Sequence, residues 1–290
     1  MNGNKKYVAF LDILGFKSTL KKLGQKKGIE YIQEYSRVAY IVFSQLNQNK
    51  SFSEINGFIV SDSIVLYTND TGEKTLDKFI QIILKLCREE FIENGILLRG
   101  AIAKGAFSKI PAIELSNLQK QLIIGDAYVE AYSMENSFKS IGVRLSEEVY
   151  QDVVNIDLTK DIVEETVNKD IYYVLRYMSI DYLLDTKYIL EKFVSSAEES
   201  AWLPHYYNAL CFAMKKVSND KKIDELFSCI IKIIEKGKAS ENWRNVDTFI
   251  KNSFDEDVFF DYKKRFLKYL RKLKKKCFPL IKLIYKRAIF

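Results

Sequence analysis

The chain has 290 residues, of which 48% are hydrophobic and 29% charged, so it can bury a substantial core and has the composition of a folded protein. Its single histidine, His205, excludes a metal site built from several histidines, and its four cysteines form no C-x-x-C pair, which argues against structural zinc and a disulfide framework. No apolar stretch reaches the roughly 18 residues of a membrane span and no secretory signal is evident, which favours the reducing cytoplasm.

The net charge of +7 is concentrated at one end of the sequence. Residues 262–290 contain twelve Lys and Arg and no Asp or Glu, so the rest of the chain has more acidic than basic residues. Apolar residues in this tail recur at three- and four-residue steps, which is typical of a basic amphipathic helix, and Pro279 interrupts it. Such a helix can bind an anionic membrane or a partner, or it can pack on the acidic remainder of the protein.

In chain order, hydrophobic periodicity predicts alternating strands and helices in the first half of the sequence. The predicted elements are a strand at 7–11, a helix through 31–46, strands at 55–60 and 64–67, a helix at 75–94 that Gly95 ends, and a strand at 96–103. Only Ser61, Asp62 and Ser63 separate the two middle strands, which predicts a tight hairpin. This order is that of an α+β, ferredoxin-like or palm βαββαβ domain.

The remaining sequence is predicted to complete this domain and then to become helical. We expect a loop at 105–121, a helix at 126–136 and a strand at 141–145, and Ser146 is a typical N-cap of a further helix. Residues 170–184 are predicted to form one more strand or hairpin. We therefore predict a catalytic α+β domain over residues 1–185 and a helical C-terminal region over 186–290.

Two acidic residues stand beside turns at strand ends, Asp12 after the first strand and Asp62 in the hairpin. The first strand of a βαββ unit lies next to the third, so these carboxylates can converge, and converging carboxylates repel each other unless a cation lies between them. Hard oxygen ligands suit Mg²⁺ or Mn²⁺ and a phosphate-bearing substrate. The backbone N–H groups of Leu14, Gly15 and Phe16, at the start of the next helix, would point at phosphate oxygens. Alternatively, both aspartates are ordinary turn residues.

Five segments together resemble the class III nucleotide cyclase superfamily of adenylate and guanylate cyclases. They are residues 10–16 (FLDILGF), Asp62 in its hairpin, residues 98–105 (LRGAIAKG), residues 125–135 (GDAYVEAYSME) and residues 144–150 (RLSEEVY). The resemblance implies that Asp12, Asp62 and the carbonyl of Ile13 hold two Mg²⁺ or Mn²⁺ ions. It also implies that a nucleoside triphosphate is cyclised with loss of pyrophosphate, and that the sites form across a head-to-tail homodimer.

The sequence departs from the purine-specific members of this superfamily at the positions that read the base. Phe58 stands four residues before the second metal aspartate, where those enzymes carry lysine or glutamate, and Leu122 stands at the second base-reading position. Neither side chain can hydrogen-bond a purine edge. The asparagine and arginine that stabilise the family's transition state are replaced by Val129 and Ser133.

Within the superfamily, the FLDILGF, SDS and RG motifs most resemble the bacterial pyrimidine cyclases of Pycsar anti-phage systems. This resemblance implies a phosphorus-oxygen lyase that converts UTP or CTP to cyclic UMP or cyclic CMP, an infection signal read by a separate effector. It implies that Phe58 fills the space of a purine, and that Arg99 donates to O2 of the smaller base and takes over the missing catalytic charge. Lys120, in the loop before Leu122, is a further candidate contact to the substrate phosphates.

Other functions stay open on the sequence. The chain can be a purine cyclase with an unusual base pocket, or an inactive module that binds a nucleotide or a partner. It can also be an adaptor whose basic tail binds a membrane or nucleic acid, although the cyclase hypothesis expects no nucleic acid. On the simpler interpretation, Phe58 is a core residue of its strand, Arg99 forms a surface ion pair, and Glu130 and Glu135 are solvated surface residues.

Overall fold

The computed structural model describes residues 5–48, 55–110, 122–138, 140–167, 170–199 and 204–236. The chain divides into two compact units, Met1–Tyr177 and Met178–Phe290. The basic tail at 262–290 and Lys120 lie outside the described residues, so the predictions made for them stay predictions.

The first unit is an α+β domain in which strands and helices alternate. Its elements are β1 (Lys5–Ile13), α1 (Phe16–Gln48), β2 (Ile55–Val60), β3 (Ser63–Thr68), α2 (Glu73–Asn94), β4 (Leu98–Ala106), β5 (Ser108–Ile110), β6 (Leu122–Ile124), α3 (Asp126–Ser137), β7 (Gly142–Leu145), α4 (Glu147–Asn155), β8 (Ile162–Val167) and β9 (Asp170–Leu175). Gly24, with φ of 72°, kinks α1. Gly95 ends α2 in the left-handed conformation, and Ser146 caps α4 by accepting a hydrogen bond from the Val149 N–H, both as predicted.

Seven strands form one sheet in the order β2-β3-β1-β4-β7-β9-β8. Strand β1 is antiparallel to both β3 and β4, and the pairing between β4 and β7 is parallel. The predicted βαββαβ order is confirmed, and the first strand lies beside the third as expected. The predicted hairpin is also confirmed, because β2 and β3 pair from Ile55 opposite Thr68 to Val60 opposite Ser63.

Helices cover both faces of this sheet. On one face, the ring of Tyr7 in β1 stacks against α2, and α1 packs on α2. On the other face, Val8 packs in a buried cluster with Ala127 and Ala131 of α3. Because successive side chains of a strand point to opposite faces, Asp12 shares the face of Val8. The candidate metal ligand therefore lies on the α3 face of the sheet.

Three segments of the chain differ from the predictions. The segment at 105–121 was predicted to be a loop, but β4 continues through Ala106 and β5 follows, pairing with β6 in a small second sheet. The predicted strand or hairpin at 170–184 is instead strand β9 followed by a helix that Ser179 caps. Strand β8, which pairs with β9 at the edge of the large sheet, was not predicted.

The described part of the second unit is helical. It contains α5 (Ile180–Asp185), α6 (Lys187–Glu199), α7 (Pro204–Met214) and α8 (Asp220–Lys236). Apolar side chains from all four helices form its core, among them Leu183, Phe193, Val194, Phe212, Leu226 and Phe227. Within the ranges given above, none of the helices of either unit combines the length and apolarity needed to cross a bilayer.

Candidate active site

Asp12 and Asp62 come together because two hydrogen bonds to the Asp62 carbonyl hold the β2–β3 hairpin against β1 and α1. The carbonyl of Asp62 accepts a hydrogen bond from the Ile13 N–H at 3.3 Å and another from the Tyr35 hydroxyl at 3.2 Å. The Asp62 carboxylate is then near enough for its charge to raise the pKa of Asp12. These residues are fifty positions apart in sequence, and the structure brings them together as the pattern of strands predicts.

The environment of Asp12 is unfavourable for a lone carboxylate. Burial and the neighbouring Asp62 charge raise the pKa of Asp12 above its ordinary value. The Ser63 hydroxyl, which donates to Asp12 Oδ1 at 3.1 Å, and the guanidinium of Arg99 act in the opposite direction. The net repulsion between the two carboxylates is the electrostatic feature that a bound cation would relieve.

Arg99 in β4 lies directly opposite Asp12 in β1, so both side chains are on the α3 face of the sheet. Its Nη2 is 3.5 Å from Asp12 Oδ2, and its Nε is 2.6 Å from Glu135 Oε1. The guanidinium is 23% exposed, whereas the Glu135 side chain is only 3% exposed. The arginine therefore bridges a partly exposed and a fully buried acid, which is more than the surface ion pair of the simpler interpretation.

The interpretation of Glu135 as a solvated surface residue is wrong. Ala127, Ala131 and Glu135 are the buried residues of α3, spaced four apart on one stripe of the helix. Burial raises the pKa of the Glu135 carboxyl, and Arg99 opposes that rise. The helical spacing that joins Glu135 to the two alanines was the available signal in the sequence. Glu130 is exposed, as expected.

In the turn after β1, one of the three backbone groups predicted to bind phosphate is already engaged within the protein. The Leu14 N–H donates to the Leu97 carbonyl at 2.9 Å, so this amide is engaged within the protein. Gly15 is exposed with φ of 78°, and Phe16 begins α1 and stacks on Tyr31. The exposed turn at the helix start leaves Gly15 and Phe16 as the candidates for phosphate contacts.

Phe58 lies on the same face as Asp12, because β2 pairs it with Val65 and β3 pairs Val65 with Phe10. Its half-buried ring packs on the cluster that also contains Phe107, with the Tyr67 ring centroid 6.5 Å away. Phe58 is therefore a border residue of the core, and it also faces the side of the sheet that carries the carboxylates.

The other positions named from the resemblance are solvent-facing. Leu122 in β6 is 46% exposed and Val129 in α3 is 60% exposed. Ser133, one turn after Val129, is exposed as well. None of these side chains supplies a charge, so within the described residues Arg99 is the basic group that contacts Asp12.

The donor set fits divalent cations of the hard type. Asp12 and Asp62 offer carboxylate oxygens, which Mg²⁺ and Mn²⁺ prefer, and the Arg99 guanidinium contacts Asp12 and Glu135 beside them. In the described part of the chain, no group of three or more His, Cys, Asp or Glu side chains is arranged to hold a metal ion. Any ion would therefore be held by this pair, completed by a backbone carbonyl, the substrate and water.

No protein-family model matches the sequence, and a search of curated proteins finds no match. Among solved structures, the adenylyl cyclase CyaB from P. aeruginosa is similar, with a TM-score of 0.43 and 15% identity over 59% of this chain and 93% of that one. The guanylyl cyclase Cya2 has a TM-score of 0.41 and 13% identity over 61% of this chain and 94% of that one. A class III adenylyl cyclase-like ATP-binding protein from Pseudomonas aeruginosa has a TM-score of 0.35 and 13% identity, covering 51% and 34%.

Proposed function

We propose that this chain is a nucleotidyl cyclase that converts UTP or CTP to the 3′,5′-cyclic nucleotide and pyrophosphate. The observation that carries the proposal is the meeting of Asp12 and Asp62 at the end of β1, with Arg99 beside them. Neighbouring, partly buried carboxylates that repel each other have no structural advantage, whereas a site for divalent cations and a triphosphate gives them one.

The reaction needs charge neutralisation at the phosphates. The substrate's 3′-oxygen bonds to the α-phosphorus, the bond to the β-phosphate breaks, and pyrophosphate leaves together with the hydroxyl proton. Asp12, Asp62 and the Ile13 carbonyl would hold the cations, which when bound supply Lewis acidity at the 3′-oxygen and the triphosphate. Arg99 would donate to phosphate oxygens as negative charge develops there, and the turn at Gly15 and Phe16 would hold the triphosphate.

The preference for a pyrimidine is supported by Phe58. Its ring occupies the α3 face of β2 and is held by Tyr67 and the core cluster. A purine-reading side chain would need a hydrogen-bonding group at this position, and phenylalanine has none. The substrate class is therefore proposed as the smaller bases, with UTP ahead of CTP.

Three further parts of the proposal rest on the sequence alone. The resemblance to class III cyclases implies the dimer, the resemblance to the Pycsar cyclases implies the effector, cysteine usage favours the cytoplasm, and the loop position before Leu122 makes Lys120 a candidate. The active form is a head-to-tail homodimer in the cytoplasm, the cyclic nucleotide activates a separate effector during phage infection, and Lys120 contacts the substrate phosphates. The basic tail at 262–290 is proposed to contact a membrane or a partner, and its removal tests whether it contributes to activity.

Incubation with each of the four nucleoside triphosphates and Mn²⁺, followed by mass spectrometry, tests the proposal. We expect cyclic UMP or cyclic CMP, and we expect Asp62→Asn to lower its formation at least about a hundredfold because a cation ligand loses its charge. Asp157→Asn is the matched control, since Asp157 is exposed at a turn with φ of 57°, a conformation that asparagine tolerates. Cyclic AMP or cyclic GMP as the main product would favour the purine alternative. No cyclic product, or a fully active Asp62→Asn protein, would refute the assignment.

A further inference from the structure

The guanidinium of Arg99 lies between two acids that it does not contact equally. Nε is 2.6 Å from Oε1 of the buried Glu135, whereas Nη2 is 3.5 Å from Asp12 Oδ2. The shorter contact belongs to the acid that is not a candidate cation ligand. The contact between Nε and Oε1 is a close ion pair without hydrogen-bond geometry. Because the guanidinium is rigid and planar, holding Nε against one acid limits how closely the Nη groups can approach another.

We propose that Glu135 is a positioning residue that holds Arg99 off Asp12 and thereby leaves the Asp12 carboxylate available to a divalent cation. The inference rests on the proposed cation site of Asp12 and Asp62. A guanidinium and a divalent cation compete for the same carboxylate oxygens. Arg99 therefore needs a second anchor if it is to stay near the phosphates without occupying the cation's ligand.

The position of Glu135 suits this role. Glu135 follows Ala127 and Ala131 on the buried stripe of α3. These alanines pack against Ala103 in β4 and against Phe107, which follows β4. The packed helix fixes the glutamate backbone, and the fully buried side chain has little freedom to leave Arg99. A buried carboxylate without its arginine would be costly, so each partner keeps the other in place.

Glu135 can affect cation binding in two ways, either through its own negative charge or as a tether that holds Arg99 away from Asp12. The two explanations predict different effects of removing Glu135. If Glu135 acted only through its negative charge, removing it would weaken cation binding by the same factor with or without Arg99. If Glu135 acts by holding Arg99, its removal lets the guanidinium move onto Asp12, and the loss of affinity disappears once Arg99 is absent. A double-mutant cycle separates the two because a shared interaction shows as non-additivity.

The experiment measures Mn²⁺ affinity and stoichiometry of the full chain by electron paramagnetic resonance. We expect Glu135→Met, which keeps the length of the side chain but has no acceptor for Arg99, to weaken binding about tenfold in the wild-type background and less than about twofold in an Arg99→Ala background. Glu135→Gln keeps one acceptor oxygen and should lie between Met and the wild type. Glu130→Met, an exposed position on the same helix, is the matched control and should change nothing.

Equal losses in both backgrounds, or no loss in either, would overturn the tether. A variant that folds poorly would lower the number of Mn²⁺ ions bound per chain rather than the affinity of the remaining sites, so stoichiometry distinguishes misfolding from the predicted effect. A metal-free crystal structure of Glu135→Met adds a readout that needs no cation. We expect Arg99 to approach Asp12 to about 2.8 Å, and an unmoved guanidinium would overturn the inference. If the wild type binds no Mn²⁺ although Arg99 moves in this crystal, the proposed function fails while the tether stands.

Discussion

Phe58 is the single side chain on which the proposed choice of base depends. It faces the same side of the sheet as Asp12, and its ring contacts Tyr67 while Lys109 Nζ lies 5.8 Å from the ring centroid. The ring is held by neighbours on one side and is half-buried. A rigid aromatic side chain at such a position excludes a larger base by its volume rather than by a hydrogen bond.

Phe58→Ala should therefore relax the preference for pyrimidines. The space left by the ring admits a purine, so we expect the ratio of UTP to ATP in kcat/KM to fall about tenfold, which is the size of effect that a change in pocket volume produces. The measurement is initial rates with each nucleotide. Ile59→Ala is the control, because Ile59 is on the same strand but on its other face. A ratio that is unchanged in Phe58→Ala would assign the ring to packing alone.

Single residues of the site were predictable where one short motif determines the chemistry. The proximity of Asp12 and Asp62 follows from the strand order, since the antiparallel first and third strands pair in a register that places Asp12 opposite Ser63. Glu135 was misjudged because its helix stripe contains only two small alanines besides the glutamate, and such a stripe has little apolar signal. The four-residue spacing places Glu135 on the buried stripe, but its ion pair with Arg99 is a tertiary contact that periodicity does not encode.

At the scale of elements, the close pairing of β1 and β4 positions Asp12 against Arg99. Gly100, next to Arg99, lies opposite Leu11 in this pairing. A Cβ built at Gly100 would lie 2.4 Å from the Phe10 carbonyl oxygen and 3.1 Å from the Leu11 Cα. Backbone atoms cannot move aside as side chains do, so the absence of a side chain at this position is a condition for the two strands to pair.

Gly100→Ala should separate these strands locally. We expect a loss of about 3 kcal/mol in the free energy of unfolding, the upper end of typical overpacking costs, because the clash is with backbone. Urea denaturation followed by circular dichroism measures it. Gly105→Ala on the same strand should cost less, since the nearest atom to its built Cβ is 3.2 Å away. Equal losses for the two variants would show that the close approach at Gly100 relaxes easily.

The elements that were predicted correctly are bounded by clear signals, such as the turn after β1, Gly95 after α2 and the three-residue connection of the β2–β3 hairpin. The errors fall where a segment of the sequence is compatible with more than one secondary structure. Residues 170–184 are mostly apolar, and Ser179 begins a new helix within this segment by accepting a hydrogen bond from the Tyr182 N–H at 3.2 Å. Strand β8 alternates weakly and is stabilised mainly by its partner β9, so pairing rather than local preference decides its structure.

At the scale of the whole molecule, several ionisable groups are buried in the first unit without belonging to the candidate site. Glu90 of α2 is fully buried, and its Oε1 has no hydrogen-bond partner in the part of the chain that the structure describes. Burial raises the pKa of Glu90 to about 8, although the Asn94 side-chain amide and Arg37 favour the charged form. The folded protein therefore keeps a proton on Glu90 at neutral pH.

This proton makes the stability of the protein depend on pH in a defined direction. Between the ordinary value of 4.5 and about 8, the unfolded chain releases the Glu90 proton while the folded chain keeps it, so stability falls as the pH rises. Glu90→Gln, which cannot ionise, should become more stable relative to the wild type by about 1 kcal/mol per pH unit over this range. Urea denaturation at pH 5, 6, 7 and 8 measures the difference. Glu93→Gln, at an exposed position on the same helix, is the control, and its free energy of unfolding should vary with pH in parallel with the wild type. If Glu90→Gln also runs parallel to the wild type, the Glu90 carboxyl is charged in the folded protein.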